Sequence, residues 1–290
     1  CEYVDHVLDW HYIRGLSDSV RLEYVRSLKA DAIIHVFPDA DIAKLARRAD
    51  IPLRIGTYGR LYHWYTCNKH PRFSRRHSDL HEAQLNLMLL KSMGITDIPS
   101  LKDIPVLYGF KPSFSLPEDF GRLLSPDVFN LIIHPLSKGS AREWGLDNYA
   151  SLIGLLPEDS FRIFLTGTEE EGKAFRPALS GLSSHYTDLS GKMRLEELIA
   201  FISKADALLA ASTGPLHIAA AAGIHALGIY PPIRPMHPGR WAPLGKKTKV
   251  FVKEVECEKC RKTGDCECMR SVKAEEIASC LKTLREQKNV

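Results

Sequence analysis

The stretch ADALLAASTGPLHIAAAAGIHALGIYPP, residues 205–232, decides the fold. It contains two short apolar runs, DALLAA and HALGIY, joined by a run of small residues with helical spacing, PLHIAAAA. Short apolar runs separated by one helix are typical of buried parallel strands joined by a crossover. We therefore predict a strand, a helix and a second strand, with a Ser-Thr-Gly-Pro turn at the carboxyl end of the first strand.

The composition of this turn suits an anion. Ser212 or Thr213 can cap the helix through its hydroxyl, and Gly214 lets a ligand come close to the backbone. The helix dipole and the free N–H groups would face the crevice in which parallel sheets bind ligands, and a phosphate is the natural occupant. His217, in the first helical turn, could donate to a phosphate oxygen. The alternative is an ordinary capped helix with a structural histidine.

The same alternation of strand and helix extends outward along the chain. Strands are predicted in VFNLIIH, FRIFLTG, YTDLSG, DALLAA and HALGIY, and helices in LDNYASLIGLL (capped by Asp147), EEEGKAFRPALSGL, RLEELIAFISKA and PLHIAAAA. An earlier series has strands in ADAIIHVF and LRIGTYG and helices in DADIAKLARRAD and HEAQLNLMLLKSMGI. Between them, residues 97–125 are rich in proline and predict a strand and an interdomain linker. The fold class is thus α/β, with two Rossmann-like parallel-sheet domains at 1–125 and 126–270.

Composition limits the function classes. The chain has 290 residues, 44% hydrophobic and 26% charged, which is typical of a globular protein. Its net charge of +4 looks mild and spread along the chain; it argues against nucleic acid and suits small anions or an anionic membrane surface. Seven cysteines, an odd number, favour a reducing cytoplasm. No membrane-spanning run or signal peptide is visible, and Cys1 in place of Met suggests that the chain begins inside a longer product.

Two more turns leave predicted strands of the second domain. HPLSKGSAREW (134–144) supplies Ser137, Lys138, Ser140 and Arg142, and LTGTEEEG (165–172) supplies Gly167 and Glu169. Because the carboxyl ends of parallel strands share one edge of a sheet, all three turns should converge on one crevice. Hydroxyls, Arg142 and a helix N-terminus would hold a diphosphate, and Glu169 would suit ribose hydroxyls. The alternatives are a solvated surface pair for the cations and a helix N-terminal charge for Glu169.

These segments, with LSGKMRLEELIAFISKADALLAASTGPLHIAAAAGIHALGIYPP, resemble the C-terminal half of the family 9 glycosyltransferases, the bacterial lipopolysaccharide heptosyltransferases. CEKCRKTGDCECMRSVKAEEI also resembles that family's tail. The resemblance is good over residues 128–290 and holds only in outline before them. It implies the GT-B fold, in which two Rossmann-like domains face across a cleft, with the nucleotide sugar on the C-terminal domain and the acceptor on the N-terminal one. It also implies that the last helix, in 271–290, packs back on the N-terminal domain.

The resemblance implies a role for eight residues in donor binding. Ser137 and Arg142 would contact the diphosphate, with Arg142 where the family commonly has Lys. Glu169 would hold the ribose, and Met193 would lie against the adenine, although ordinary packing also explains Met193. The sugar and diphosphate would be wrapped by Ser212, Thr213, Gly214 and His217.

Two departures from the family pattern matter. The family usually has Asp where this chain has Ser212, so the donor sugar or the activity could differ. The family also opens with a strand and a Gly-Asp turn whose Asp is the expected catalytic base, and the present chain corresponds to a point after that segment. The catalytic residue is therefore unassigned, and Asp5 and His6 are only the nearest candidates.

The implied chemistry is inverting transfer, without metal or cofactor, of a sugar from a nucleotide-diphosphate donor, with ADP-heptose expected, to a lipopolysaccharide core or related lipid-linked glycan. We expect a cytoplasmic monomer with possible peripheral contact at the inner membrane. One alternative is a GT-B relative that binds a nucleotide sugar with lost or altered activity. Another is a nucleotide-sugar epimerase, which needs two carboxylates facing the sugar, and these turns offer no such pair.

Four clustered cysteines leave one further alternative open. Cys257, Cys260, Cys266 and Cys268 could form a zinc site, but the C-x-C spacing of the second pair is unusual for one. Free thiols in a loop are the preferred interpretation, and no metal is expected.

Overall fold

The computed structural model describes residues 1–75, 77–255 and 266–288. The chain divides into two compact units, Glu2–Leu101 and Lys102–Val290, with Cys1 grouped with the second. The division falls earlier than the predicted boundary at residue 125. The reason is that side chains of the proline-rich segment, such as Leu116 and Phe120, pack against the core of the C-terminal unit.

The N-terminal unit is built on a small parallel sheet. Strands β1 (Ala32–Ile34) and β2 (Leu53–Ile55) pair in register, Ala32 with Leu53. Its helices are α1 (Trp10–Gly15), α2 (Asp18–Ser27), α3 (Ala40–Arg48), α4 (His63–Thr66) and α5 (Glu82–Leu87). The helix predicted in 81–95 starts and ends as expected, but its second half, Met88–Met93, is a 3₁₀ helix that Gly94 closes with a φ of +86°.

The C-terminal unit contains a six-stranded parallel sheet in the order β5-β4-β3-β6-β7-β8. Its strands are β3 (Phe129–His134), β4 (Phe161–Leu165), β5 (Tyr186–Asp188), β6 (Ala207–Ala211), β7 (His225–Tyr230) and β8 (Thr248–Val252). Its helices are α6 (Glu118–Gly121), α7 (Leu146–Leu155), α8 (Glu169–Phe175), α9 (Leu195–Lys204), α10 (Gly214–Ala222), α11 (Pro238–Trp241), α12 (Glu267–Arg270) and α13 (Ala274–Lys288). Short 3₁₀ helices lie at Ile104–Leu107 and Ser180–Leu182.

The structure corrects two local predictions and adds one strand. The edge strand β8 was not predicted, and the described backbone of 97–125 holds only a 3₁₀ helix and α6, without the expected strand. Asp147 is not the cap of α7. Gly145 occupies the N-cap position with a φ of +102°, and Asp147 lies in the first turn.

The core of the C-terminal unit lies on both faces of its sheet. All six residues of β3 and all five of β6 are buried, as a sheet covered by helices on both sides requires. Trp144 is fully buried, and its indole N–H donates to the carbonyl of Val272 at 2.9 Å. This bond ties the loop after β3 to the segment that precedes α13.

The last helix packs on its own unit. Ile277, Ala278 and Leu281 of α13 are buried in the same core as Leu152 of α7. The additional contact with the N-terminal unit that the resemblance implies stays a prediction. No helix in the described parts of the chain combines the length and the apolar character needed to cross a membrane.

Candidate functional site

The carboxyl ends of the central strands form the crevice in which ligands of such sheets bind. Strand order runs outward from β3 through β4 to β5 on one side, and from β6 through β7 to β8 on the other. The loops after β3 and β6 therefore leave the sheet at its switch point. This is the edge at which the sequence predicts that the three turns converge.

Two cavities flank the amino end of α10 at this edge. The cavity on the β4 side, of about 490 Å³, is lined by residues that include Ser137, Gly167, Glu169, Met193 and Leu198. The cavity on the β7 side, of about 450 Å³, is lined by residues that include Arg142, Ser212, His217, Met236, Arg240 and Trp241. Ser140, Thr213 and Gly214 line both. All eight residues predicted to bind the donor thus lie around one helix end.

The turn into α10 does not form the predicted side-chain cap. Thr213 occupies the N-cap position but makes no side-chain cap bond. It is 6% exposed, and its Oγ1 is buried without a hydrogen-bond partner among the described residues. Ser212 instead places its hydroxyl against the hydroxyl of Tyr230. The first N–H groups of α10 and one buried hydroxyl are therefore left for a ligand.

The loop after β3 is braced by its own serines. The buried Ser137 donates from Oγ to the carbonyl of Ala141 at 3.0 Å and accepts from the N–H of Ala141 at 3.3 Å. Ser140 donates to the carbonyl of Ser137 at 2.8 Å. Lys138 and Gly139 between them have φ angles of +48° and +78°, in the left-handed region. Ser137 therefore shapes the wall of the cavity, and its hydroxyl is already engaged by the loop.

Glu169 is held in place by a network that the sequence analysis missed. Arg176 donates to both of its carboxylate oxygens, at 2.9 and 3.2 Å. Arg176 is itself anchored by Asp188 at 2.6 Å and by the Ser190 hydroxyl at 2.9 Å. The Arg176 hydrogen bonds lower the pKa of Glu169, so this carboxylate is ionised and available as an acceptor at neutral pH.

A glycine makes room for that carboxylate. Gly191 has a φ of +70°, and a Cβ added there would come within 2.9 Å of the Cβ and Oε2 atoms of Glu169. The turn DLSG after β5 was the available sequence signal, since a glycine directly after a strand often marks a close approach. Met193, two residues further on, is half-buried and packs on the core while lining the cavity. Its contact with an adenine stays a prediction.

The wall of the β7-side cavity is set by Tyr230 and Trp241. The Tyr230 hydroxyl donates to the Trp241 carbonyl at 2.5 Å, and the Trp241 indole N–H donates to the carbonyl of Pro235 at 3.0 Å. Burial raises the pKa of Tyr230, which keeps the hydroxyl neutral. The Arg240 guanidinium lies 5.4 Å from the centre of the Trp241 ring. Among the described residues, none of the groups lining this cavity is a carboxylate.

Two buried polar groups in the β4-side cavity are satisfied by the protein. His134 lies 3.0 Å (Nδ1) from the Thr166 hydroxyl, and burial lowers the pKa of His134, so its ring is neutral. The Glu171 carboxylate accepts from the N–H and hydroxyl of Thr168, at 2.8 and 3.1 Å, in a capping box. Glu171 therefore serves the start of α8.

Other candidates lie away from these cavities. Asp5 and His6 are exposed in the N-terminal unit and line neither cavity. Of the clustered cysteines, Cys257 and Cys260 lie outside the described residues, while Cys266 is buried in the core and Cys268 is half-buried. The described part of the chain contains no group of three or more His, Cys, Asp or Glu arranged to hold a metal ion. The zinc alternative therefore stays an untested prediction.

Comparison with known proteins assigns the family. The family model described as "Glycosyltransferase family 9 (heptosyltransferase)" matches residues 23–269. The chain belongs to glycosyltransferase family 9. It is a glycosyltransferase, and the α/β fold class with a parallel sheet in each unit is confirmed.

Individual relatives agree with this assignment. The chain is 28% identical over 261 residues to a protein of Haemophilus influenzae described as "Putative glycosyltransferase", covering 86% of this chain and 74% of the relative. The structure of E. coli ADP-heptose lps heptosyltransferase II is similar with a TM-score of 0.70 and 18% identity, covering 93% of this chain and 81% of that one. The structure of E. coli heptosyltransferase WaaC with ADP is similar with a TM-score of 0.60 and 18% identity, covering 95% and 81%. At these identities the two structures support the fold alone.

Proposed function

We propose that this family 9 glycosyltransferase transfers a heptose from ADP-heptose to a lipopolysaccharide core or a related lipid-linked glycan, on the cytoplasmic face of the inner membrane. The observation that carries the donor assignment is the pair of cavities meeting at the amino end of α10, where Thr213 leaves a buried hydroxyl without a partner among the described residues. A helix amino end with free N–H groups and a hydroxyl is suited to a diphosphate.

The nucleoside fits the β4-side cavity. Glu169 is ionised and fixed by Arg176, so its oxygens can accept from ribose hydroxyls. Met193, Leu195 and Leu198 give the same cavity an apolar wall on which a base can lie. The similar WaaC structure is described as a structure with ADP, and we carry adenine over from it as the proposed base.

The diphosphate lies, in this proposal, over the residues that line both cavities, Ser140, Thr213 and Gly214. Arg142 and His217 line the adjoining β7-side cavity. In this proposal the Arg142 guanidinium and the His217 ring N–H donate to the phosphates of the departing diphosphate. Because the Ser137 hydroxyl is engaged by its own loop, we assign Ser137 to shaping the wall of the β4-side cavity, and the backbone beside it to the phosphate contact. The sugar then occupies the remainder of the β7-side cavity, next to Ser212 and Trp241.

This placement gives inverting transfer a simple electrostatic basis. An acceptor oxygen attacks the anomeric carbon while the bond from that carbon to the diphosphate breaks, and a general base takes the acceptor proton. The negative charge that develops on the departing diphosphate is met by Arg142 and the amino end of α10, so the step needs no metal ion for charge stabilisation. Neither cavity supplies an unpaired carboxylate for the base among the described residues.

Calorimetric titration with ADP, UDP and GDP tests the donor assignment. We expect ADP to bind most tightly, and Arg142→Ala to weaken ADP binding by about 1.5–3 kcal/mol because a charge-assisted hydrogen bond is lost. The control is Arg122→Ala, whose guanidinium pairs with Glu118 on the exposed α6. An unchanged ADP affinity in the Arg142 variant would remove Arg142 from the diphosphate and overturn the placement.

A binding protein with lost or altered activity is the second candidate function. It is favoured by one observation: the hydroxyl of Ser212, which stands where the family usually has Asp, is turned to Tyr230. Incubation with ADP-heptose and a heptose-deficient lipopolysaccharide core distinguishes the two. Transfer of heptose supports the enzyme, whereas ADP-heptose binding without transfer supports the second candidate.

A further inference from the structure

The N-terminal unit contains a strongly basic segment of the chain. Residues 51–78 include six Lys and Arg and no Asp or Glu, whereas the rest of the chain has two more acidic than basic residues. The positive charge is therefore unevenly distributed, and the expectation that it is spread along the chain was wrong. Two of the six are engaged inside the unit: Arg54 donates to the carbonyls of Ile51 and Thr66, and Arg75 pairs with Glu82.

The remaining cations of this segment that the structure describes are exposed. These are Arg60, Lys69 and Arg72. Neither Arg60 nor Arg72 forms an ion pair within the described part of the chain. The Arg72 guanidinium instead lies 5.2 Å from the centre of the Tyr58 ring. This cation therefore sits directly beside an exposed aromatic side chain.

The apolar side chains around α4 face outward. Leu61, Trp64 and Tyr65 have helical spacing and are 85%, 54% and 54% exposed. On the other side of the same turn, His63 and Thr66 are almost completely buried. An ordinary surface helix shows the reverse pattern, with its polar residues outside.

These exposed rings form one connected patch. The Tyr58 and Trp64 ring centres lie 4.6 Å apart, and the Trp64 indole N–H donates to the Tyr58 carbonyl at 3.0 Å. Because the indole N–H is already satisfied, the outer part of the Trp64 ring is free to enter an apolar phase. We call the exposed set Tyr58, Arg60, Leu61, Trp64, Tyr65 and Arg72 the aromatic-basic face.

We propose that the aromatic-basic face docks the protein on an anionic phospholipid bilayer. Trp and Tyr rings favour the interface between headgroups and acyl chains, and arginines beside them pair with anionic headgroups. The absence of any acidic residue from 51–78 removes repulsion from such a surface. The inference rests on one part of the proposed function, namely that the acceptor is lipid-linked. Docking would bring the enzyme to the membrane surface on which such an acceptor lies.

Vesicle sedimentation tests this docking without any nucleotide. The probes are vesicles of phosphatidylcholine mixed with phosphatidylglycerol, and vesicles of phosphatidylcholine alone. We expect the wild-type chain to bind the anionic vesicles in a salt-sensitive way, and Arg60→Glu with Arg72→Glu to reduce that binding about tenfold or more. Leu61→Ser with Trp64→Ser should reduce binding to both kinds of vesicle, because apolar insertion is lost.

Matched controls come from the C-terminal unit. Lys282→Glu reverses one exposed charge on α13, and Val106→Ser removes a side chain that is 76% exposed; both should bind vesicles as the wild type does. Equal vesicle binding by wild type and face variants would overturn the proposal. So would a dimer of the wild type that the face variants abolish, since the occupant would then be a second copy. ADP titration of the same variants should be unchanged, so failure of docking and failure of the donor assignment are distinguishable.

Discussion

His35 and His63 of the N-terminal unit differ in their hydrogen bonding from His134 of the C-terminal unit. In the N-terminal unit, His35 and His63 are buried with their rings 5.3 Å apart, and the Nε2 atom of each lacks a hydrogen-bond partner among the described residues. In the C-terminal unit, His134 is buried at the end of β3 and bonds to Thr166. A two-stranded sheet offers few neighbouring backbones and side chains, whereas a six-stranded sheet surrounds each central strand with partners.

The two units also differ in the surfaces to which we assign a function, the two cavities of the C-terminal unit and the aromatic-basic face of the N-terminal unit. The C-terminal unit satisfies almost every hydroxyl that lines its two cavities: Ser137, Ser140, Thr168 and Ser212 each bond to the protein. Thr213 is the exception among the described hydroxyls there. The N-terminal unit instead exposes aromatic rings and arginines. Because the other described hydroxyls that line the cavities bond to the protein, the Thr213 hydroxyl is the one left for a ligand.

Acid should weaken the N-terminal unit first. Burial, followed by the neighbouring His63, lowers the pKa of His35 to about 4, below the ordinary 6.5 of an unfolded chain. The unfolded state therefore binds more protons between these values. The stabilisation is full above about pH 6.5 and is lost as the pH falls towards 4, by at most about 3 kcal/mol for this group.

Urea unfolding of wild type and His35→Leu between about pH 7 and pH 5 checks this expectation. The wild-type N-terminal unit should lose stability over that range, and the variant should lose less. His134→Leu is the matched control, and it should leave the acid sensitivity of the N-terminal unit unchanged. Equal acid sensitivity of wild type and His35→Leu would show that His35 does not cause the loss of stability at low pH.

The Arg176 network should set how the ribose is recognised. Arg176→Met removes the fork that holds both oxygens of Glu169, so that carboxylate becomes mobile. We expect a severalfold loss of ADP affinity and a loss of discrimination between ADP and its 2′,3′-dideoxy analogue. Both are measured by calorimetry. The matched control, Arg122→Met, removes an exposed arginine of the same unit. Retained discrimination in Arg176→Met would place the ribose elsewhere.

Among these substitutions, Ser212→Asp should have the smallest effect on ADP affinity. Ser212→Asp adds a carboxylate beside the Tyr230 hydroxyl, while the diphosphate keeps Arg142 and the end of α10. We expect ADP affinity to change by under about 1 kcal/mol, and ADP-heptose to gain affinity relative to ADP, because a carboxylate accepts sugar hydroxyls more strongly. Competition titrations decide it. Abolished ADP binding would put Ser212 on the diphosphate and reverse our placement of the donor.

The sequence predicted most of the C-terminal unit because its strands are fully buried and its helices have regular spacing. It missed β8, an edge strand whose alternating residues Thr248–Val252 follow a lysine-rich turn and are mostly half-buried. The sequence did predict the three turns after β3, β4 and β6, because hydroxyl-bearing residues and glycines directly after a strand are a local signal of a ligand-binding turn. Domain division was less predictable, because the proline-rich segment around Leu116 packs on the C-terminal core through contacts that leave no periodic pattern.

The hydrogen bonds between side chains of the site could not be predicted from the sequence. Arg176 reaches Glu169 from one side and Asp188 from the other, a tertiary arrangement that no spacing reveals. The bond between Ser212 and Tyr230 joins two different strand ends. The cap predicted for Thr213 was wrong for the same reason, since only the folded structure shows that its hydroxyl has no partner.

Thr213→Val, followed by urea unfolding and by calorimetric titration with ADP, tests whether the amino end of α10 holds the donor diphosphate. A buried hydroxyl without a partner costs stability, so its removal should leave the urea midpoint unchanged or raise it. The same change should weaken ADP binding by about tenfold or more, because a hydrogen bond to a charged phosphate is lost. Thr187→Val in β5, outside both cavities, is the control. A lower midpoint with unchanged ADP affinity would show that Thr213 serves the fold alone and would contradict the account.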